Sequence, residues 1–270
     1  MADGTVTLER RGKVAVVTIS REERRNALDE RMWGELAAVV EQLRAELPRA
    51  VVITGAGTKA FCAGMDVNPD NPQIGRLVSA VQEGERAPVE KLLRELRAPL
   101  DGLVGLPVPV IAAINGLAFG GGAELAVRCD LRVADPAATL CFSEVRLGLM
   151  PDLGGCVALT RCVGPAVAAD LALTARKVPA QEALALRLVN RVSAPGAALD
   201  EAVALGEALA ANGPRAVWAT LAMIRATPDL AAADALALEL ESAVVLITTG
   251  ECAHGIGAFL SREPPVFPDP

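Results

Sequence analysis

Between residues 110 and 155 the chain reads VIAAINGLAFGGGAELAVRCDLRVADPAATLCFSEVRLGLMPDLGG, and few folds accommodate such a run. It opens as an apolar, β-branched strand over residues 110–114, breaks at Asn115-Gly116, and passes through Gly120, Gly121 and Gly122 into a helical pattern from Ala123. Glycines entering a helix let backbone approach a ligand closely, and the first helical N–H groups have no partner within the helix. Such a place suits a negatively charged oxygen. Glu124 lies one turn in, among apolar neighbours. Glu144 follows twenty residues later beside Leu140, Cys141, Phe142 and Val145, and Asp152 adds a third acid. Each acid has a bland reading: Glu124 as a first-turn glutamate favoured by the helix dipole, Glu144 as a surface residue on a turn, Asp152 as the N-cap of a helix over residues 153–163.

The rest of the chain has to build around that run. At 270 residues and 52% hydrophobic composition, one large α/β core with appendages is within reach. Residues 6–8 and 14–20 read as two strands about a turn at Arg11-Gly12. A helix follows with Asp29 as N-cap and Met32, Leu36, Val39, Val40 and Leu43 on its apolar face, ended by Pro48. Residues 50–54 form a buried strand leading into the glycine-rich loop 55–67. Residues 68–73 read as loop and 77–103 as a charged surface helix. Beyond the central run, helices are expected over 157–163, 165–174, 180–186, 199–211, 214–226 and 230–248, with a last strand at 189–192. The prolines of the tail stop the final helix. The break at Pro195-Gly196 divides the chain into residues 1–195, a core, and 196–270, a helical region.

Composition and motif spacing exclude several classes. A net charge of −7 and 3% aromatic residues argue against a nucleic-acid surface. The six cysteines have no C-x-x-C spacing and His254 is the single histidine, so no metal site is expected; the cysteines read as reduced and buried. No G-x-S-x-G elbow, P-loop or G-x-G-x-x-G fingerprint is present, which sets aside a serine hydrolase, a nucleotide phosphate site and a nicotinamide enzyme. The start lacks the apolar core of a secretory leader. Residues 102–123 carry no charge and are long enough to span a bilayer, but Pro107, Pro109, Asn115 and six glycines suit strand, turn and loop better. The expectation is a soluble, cytoplasmic protein without a membrane partner. Two carboxylates in an apolar pocket separate into acid and base roles, and backbone N–H groups hold an oxyanion. Together they fit a reaction through an enolate: a proton moved beside a carbonyl, or water added across a conjugated double bond.

On these residues the chain resembles the enoyl-CoA hydratase/isomerase (crotonase) family. The matching pieces, in order, are Asn26-Ala27-Leu28, the loop from Ala60 to Asp66, the segment from Pro109 to Asp130, and Glu144 to Gly155. Phe259-Leu260 and Pro265-Val266-Phe267 resemble the family's ending. The resemblance implies an α/β fold, a crotonase-like spiral of repeated ββα units with a C-terminal helical region that supplies contacts of a homotrimer or dimer of trimers. It implies an acyl-CoA thioester substrate and no separate cofactor. The catalytic glutamates fall on Glu124 and Glu144, which hold one water: Glu124 helps it attack C3 and Glu144 delivers a proton to C2. The oxyanion donors fall on the amides of Met65 and Gly121, and the substrate-binding positions on Ala27, Ala63, Asp66 and Gly120. One departure stands out: simple hydratases of the family often carry glycine where this chain has Asp152, whereas double-bond isomerases carry aspartate there and often lack one glutamate. The implied function is an enoyl-CoA hydratase. The alternatives are an enoyl- or dienoyl-CoA isomerase using Asp152 and Glu144, and a non-catalytic acyl-CoA- or RNA-binding member.

Overall fold

The structure is a computed structural model and describes residues 4–269. β1 (Thr5–Arg11) and β2 (Val14–Ser20) pair antiparallel around Gly12. β2 then starts a parallel ladder through β3 (Ala50–Gly55), β5 (Val110–Ile114), β7 (Leu131–Ala134) and β10 (Arg191–Val192). A second, smaller sheet runs β4 (Ala60–Cys62), β6 (Leu117–Phe119), β8 (Thr139–Cys141) and β9 (Val178–Pro179). Each long strand therefore leads to a short one and then to helix. β3 and β4 precede α2 (Pro72–Glu83) and α3 (Arg86–Val104); β5 and β6 precede α4 (Gly121–Arg128); β7 and β8 precede α5 (Gly155–Val163) and α6 (Pro165–Thr174). This is the expected ββα spiral.

Strand alternation sorts side chains onto the two faces of the large sheet. Val14, Val16, Val52, Ile111, Ala113 and Val133 face Ala202 and Leu205 of α8 (Ala198–Ala210). Ala15, Val17, Val51, Ile53, Ala112 and Ile114 face the main core, where α1 (Glu30–Ala45) packs with Met32, Trp33, Leu36, Val39, Val40 and Leu43 buried. Burying each such aliphatic side chain contributes about 1.5–3 kcal/mol. Asp29 caps α1 as expected, accepting from the amide of Met32. The small sheet was not legible in the sequence, because its strands are only two or three residues long.

Four expectations need correction. Residues 77–103 are not one helix: α2 begins at Pro72, capped by the Asn71 side chain, and Gly84 in the left-handed region ends it. α3 is not wholly a surface helix, since Leu92, Leu96, Leu100 and Leu103 are buried. α5 starts at Gly155, with Gly154 as its N-cap, so Asp152 caps nothing. The last strand is Arg191–Val192 alone. After α7 (Ala180–Ala185), α9 (Pro214–Ala226) and α10 (Ala232–Thr248), the tail forms one more helix, α11 (Glu251–Ser261), before its prolines. The uncharged stretch 102–123 is the end of α3, two strands and the start of α4. Among the described residues no single helix is long and apolar enough to cross a membrane.

Candidate active site

Two loops bring the site together. The turn before α1 and the loop after β4 pair backbone to backbone: Ala63 N donates to Arg25 O, Leu28 N to Gly64 O, and Asp66 N to Leu28 O. Asn26, fully buried, fixes this pairing from below. Its Nδ2 donates to Ala56 O and Ala60 O over 3.0 and 2.7 Å, and its Oδ1 accepts from Arg21 N. Ala27, Ala63 and Asp66 thus lie on the paired loops. The Asp66 carboxylate accepts from Arg21 over 2.7 Å and from Asn68, which hold it below the usual carboxylate range against the cost of burial.

Successive amides of an extended segment point to opposite sides. With Asp66 N on Leu28, this alternation turns the Met65 N–H away from Leu28, on a segment that runs beside α4. There Gly121 is the first helical residue, and its N–H has no acceptor within the helix. Neither amide donates to any group among the described residues. The two segments touch: a methyl group on Gly64 would lie 2.8 Å from Gly121 N, and one on Gly121 would lie 3.8 Å from Met65 N. Gly120, immediately before, donates to Cys141 O and lies beside Glu144, whose Oε1 would be 3.5 Å from a methyl there.

The three acids meet at this point. Glu124 is 1% exposed, and its Oε2 accepts from Leu153 N and Gly155 N, both at 2.8 Å. Gly155 must be glycine for this approach, since a methyl group would sit 2.3 Å from Glu124 Cγ. Glu144 opens a short 3-10 turn, is 8% exposed, and neither of its buried carboxylate oxygens has a donor among the described residues. Burial first, then the charge of Glu144, push Glu124 up to about 8, opposed by the amide of Gly155; Asp152 adds to the rise. Burial also raises Glu144, with its own backbone amide and the Glu124 carboxyl pulling it back and the charge of Asp152 adding to the rise. Asp152 is itself raised by burial, with the charge of Arg97 pulling it back. Arg97 lines a groove of about 940 Å³ between α2 and α3, whose apolar wall includes Val81, Val89 and Leu93.

All the residues picked out by sequence therefore fall in one region. The surface reading of Glu144 fails on burial; Glu124 does lie in the first turn of α4, but buried, with its carboxylate on the amides of Leu153 and Gly155. What sequence reasoning missed is the support: the hydrogen bonds of Asn26, the amides of Leu153 and Gly155, and Arg128. The signals were present as an asparagine in a turn, a glycine pair after an acid, and an arginine four residues beyond Glu124. The cysteines are a partial correction, since Cys62, Cys129 and Cys141 are buried but Cys252 is exposed. Among the described residues no group of histidine, cysteine or acid side chains is arranged to hold a metal ion.

Two unengaged amides opposite two buried carboxylates form a site suited to chemistry through an enolate oxyanion. The sequence model of the family described as enoyl-CoA hydratase/isomerase matches residues 9–270, and the chain belongs to that family. A Thermus thermophilus protein is 39% identical over 258 residues, 95% of this chain and 98% of its own. The short-chain-enoyl-CoA hydratase of Clostridium acetobutylicum is 35% identical over 260 residues, 95% of each chain. The crystal structure of enoyl-CoA hydratase from Bacillus anthracis superposes with a TM-score of 0.87 at 31% identity, covering 97% of this chain and 98% of that one.

Proposed function

We propose that this hydratase/isomerase family enzyme is an enoyl-CoA hydratase, adding water across the 2,3 double bond of an enoyl-CoA thioester. The observation that carries the reading is the pairing of Glu124 and Glu144 in one buried pocket beside the free amides of Met65 and Gly121. The thioester oxygen would rest on those amides, which stabilise it most as it gains charge in the enolate. Glu124, with two amides favouring its charged form, is suited to take a proton from the attacking water. Glu144, raised by burial and without a donor to its carboxylate among the described residues, is suited to deliver the proton that goes to C2. The loops at Arg21–Ala27 and Lys59–Asp66 would line the coenzyme A portion, and the acyl chain would run toward α2 and α3. No separate cofactor enters this reading.

The Clostridium relative is named for short-chain enoyl thioesters, so crotonyl-CoA is the first substrate to try. Hydration removes the absorbance of the conjugated thioester. Wild type should bleach it; Glu124→Ala and Glu144→Ala should not. A second reading, double-bond isomerisation, is favoured by Asp152, which is half-buried, raised, and acts on both glutamates, and so offers a third proton carrier. No bleaching by the wild type, together with turnover of 3-enoyl- or dienoyl-CoA that Asp152→Asn abolishes, would replace the first reading by the second. We also propose that the helical region 196–270 assembles the chain into a homotrimer or dimer of trimers.

A further inference from the structure

The turn that holds Glu124 is itself held from the same helix. Arg128 lies one turn beyond Glu124 on α4, with its side chain 11% exposed. Its guanidinium donates to Leu153 O over 2.6 Å and to the Asp101 carboxylate on α3. Leu153 is also the residue whose N–H donates to Glu124. Two side chains four apart on one helix therefore grip the N–H and the C=O of a single residue. The guanidinium lies against Gly154 as well, where a methyl group would be 3.1 Å from its Cζ. The Leu153 side chain packs in turn on Gly121, where a methyl would be 2.9 Å from Leu153 Cδ1. The 152–155 turn thus touches Glu124 through two amides, Gly121 through a side chain, and includes Asp152. A planar fork with several donors can hold a carbonyl and a carboxylate at once, which a lysine ammonium does less rigidly.

We propose that Arg128 is a positioning residue: by holding Leu153 O it fixes the 152–155 turn and, through that turn, the aim of the Glu124 carboxylate. The consequence for turnover rests on the hydratase reading, so one arm of the test does not depend on it. Arg128 is outside the paired loops assigned to coenzyme A, so its loss should act on the chemical step rather than on binding.

The test compares Arg128→Met and Arg128→Lys with wild type in two readouts. The first is kcat and KM for crotonyl-CoA. The second is the titration of Glu124 by 13C NMR in protein labelled at the glutamate carboxyl carbon, its signal assigned with Glu124→Gln. In Arg128→Met, kcat should fall roughly tenfold to hundredfold, as expected for a displaced catalytic group, with KM within about threefold of wild type. The Glu124 midpoint should move up by about one pH unit, because its charged form loses amide donors. Arg128→Lys should recover part of both effects, and it carries the same readouts if the methionine variant does not fold. An unchanged Glu124 midpoint overturns the proposal whatever happens to kcat, and so does a parallel loss of kcat and affinity. If wild type leaves crotonyl-CoA untouched but the midpoint still moves, the hydratase reading falls and the positioning role stands.

Discussion

Glu124 and Glu144 share a pocket but have different surroundings. Among the described residues Glu124 has two amide donors and Glu144 has none, yet burial and the charge of Glu144 still push Glu124 up to about 8, so the pair is suited to carry one proton between them. Glu144→Gln should lower kcat by about 10²- to 10⁴-fold, the usual loss when a general acid is removed, while coenzyme A-dependent binding persists; stopped-flow binding and steady-state turnover separate the two. The raised Glu124 also makes stability depend on pH. Its carboxyl keeps a proton in the folded chain up to about 8, against a reference value of 4.5. Between those values the folded state binds more protons than the unfolded state, so this group's contribution falls as pH rises and is lost by the time pH passes the folded value. Glu124→Gln cannot titrate and escapes that loss. The difference in Tm between Glu124→Gln and wild type should therefore grow in favour of the variant from pH 5 to pH 8. A constant difference would show that Glu124 is not raised.

Single elements show which parts of the fold a sequence can reveal. α1 was readable because its cap and its apolar spacing are both local. α6 and α9 were readable because a proline after a glycine opens each of them. The break at Gly84 was hidden by a continuous charged pattern, and α3 carries its buried leucines on a face that only contact with α1 defines. The small sheet depends on non-local pairing of very short strands, for which periodicity gives no signal. In the site, the acids and glycines were legible by type and spacing, while the donors that orient Glu124 are backbone amides, which every residue carries. Asn26 illustrates the same limit. Two of its three hydrogen bonds join the turn before α1 to the residues between β3 and β4 and the start of β4, and the third closes the turn on Arg21, which together steady the loop that carries Met65. Asn26→Ala leaves buried polar groups without partners, each costing about 1–3 kcal/mol. Urea denaturation should show a loss of that size, and turnover should fall as the Met65 amide moves. Stability equal to wild type would mean that the loops are held by their backbone pairing alone.

At the scale of the molecule, the two ends of the helical region behave differently. α8 belongs to the core, covering one face of the large sheet. α10 has no buried residue, yet Leu236, Leu240, Val244 and Ile247 repeat at helical spacing and are each more than half exposed. On α11, Ile256, Phe259 and Leu260 are also exposed. Both helices are nevertheless fixed to the core. Glu251 caps α9 by accepting from Arg215 N and Ala216 N. Arg49, itself buried, donates to Phe267 O and Pro268 O and pairs with Asp269. An apolar stripe of this extent, held in place but facing outward, fits an interface between copies of the chain. Light scattering should accordingly give about three or six times the 27.9 kDa of one chain. Leu236→Asp with Leu240→Asp places two charges where the partner would bury them. The doubly substituted chain should run as a monomer with its circular dichroism intact and a lower Tm, since assembly stabilises the folded state by mass action. Arg49→Met should loosen the same region from the other side, seen as faster proteolysis after Ser261 and a shift toward smaller species at low concentration. A wild-type chain that is monomeric at micromolar concentration would instead assign the stripe on α10 to a partner other than itself.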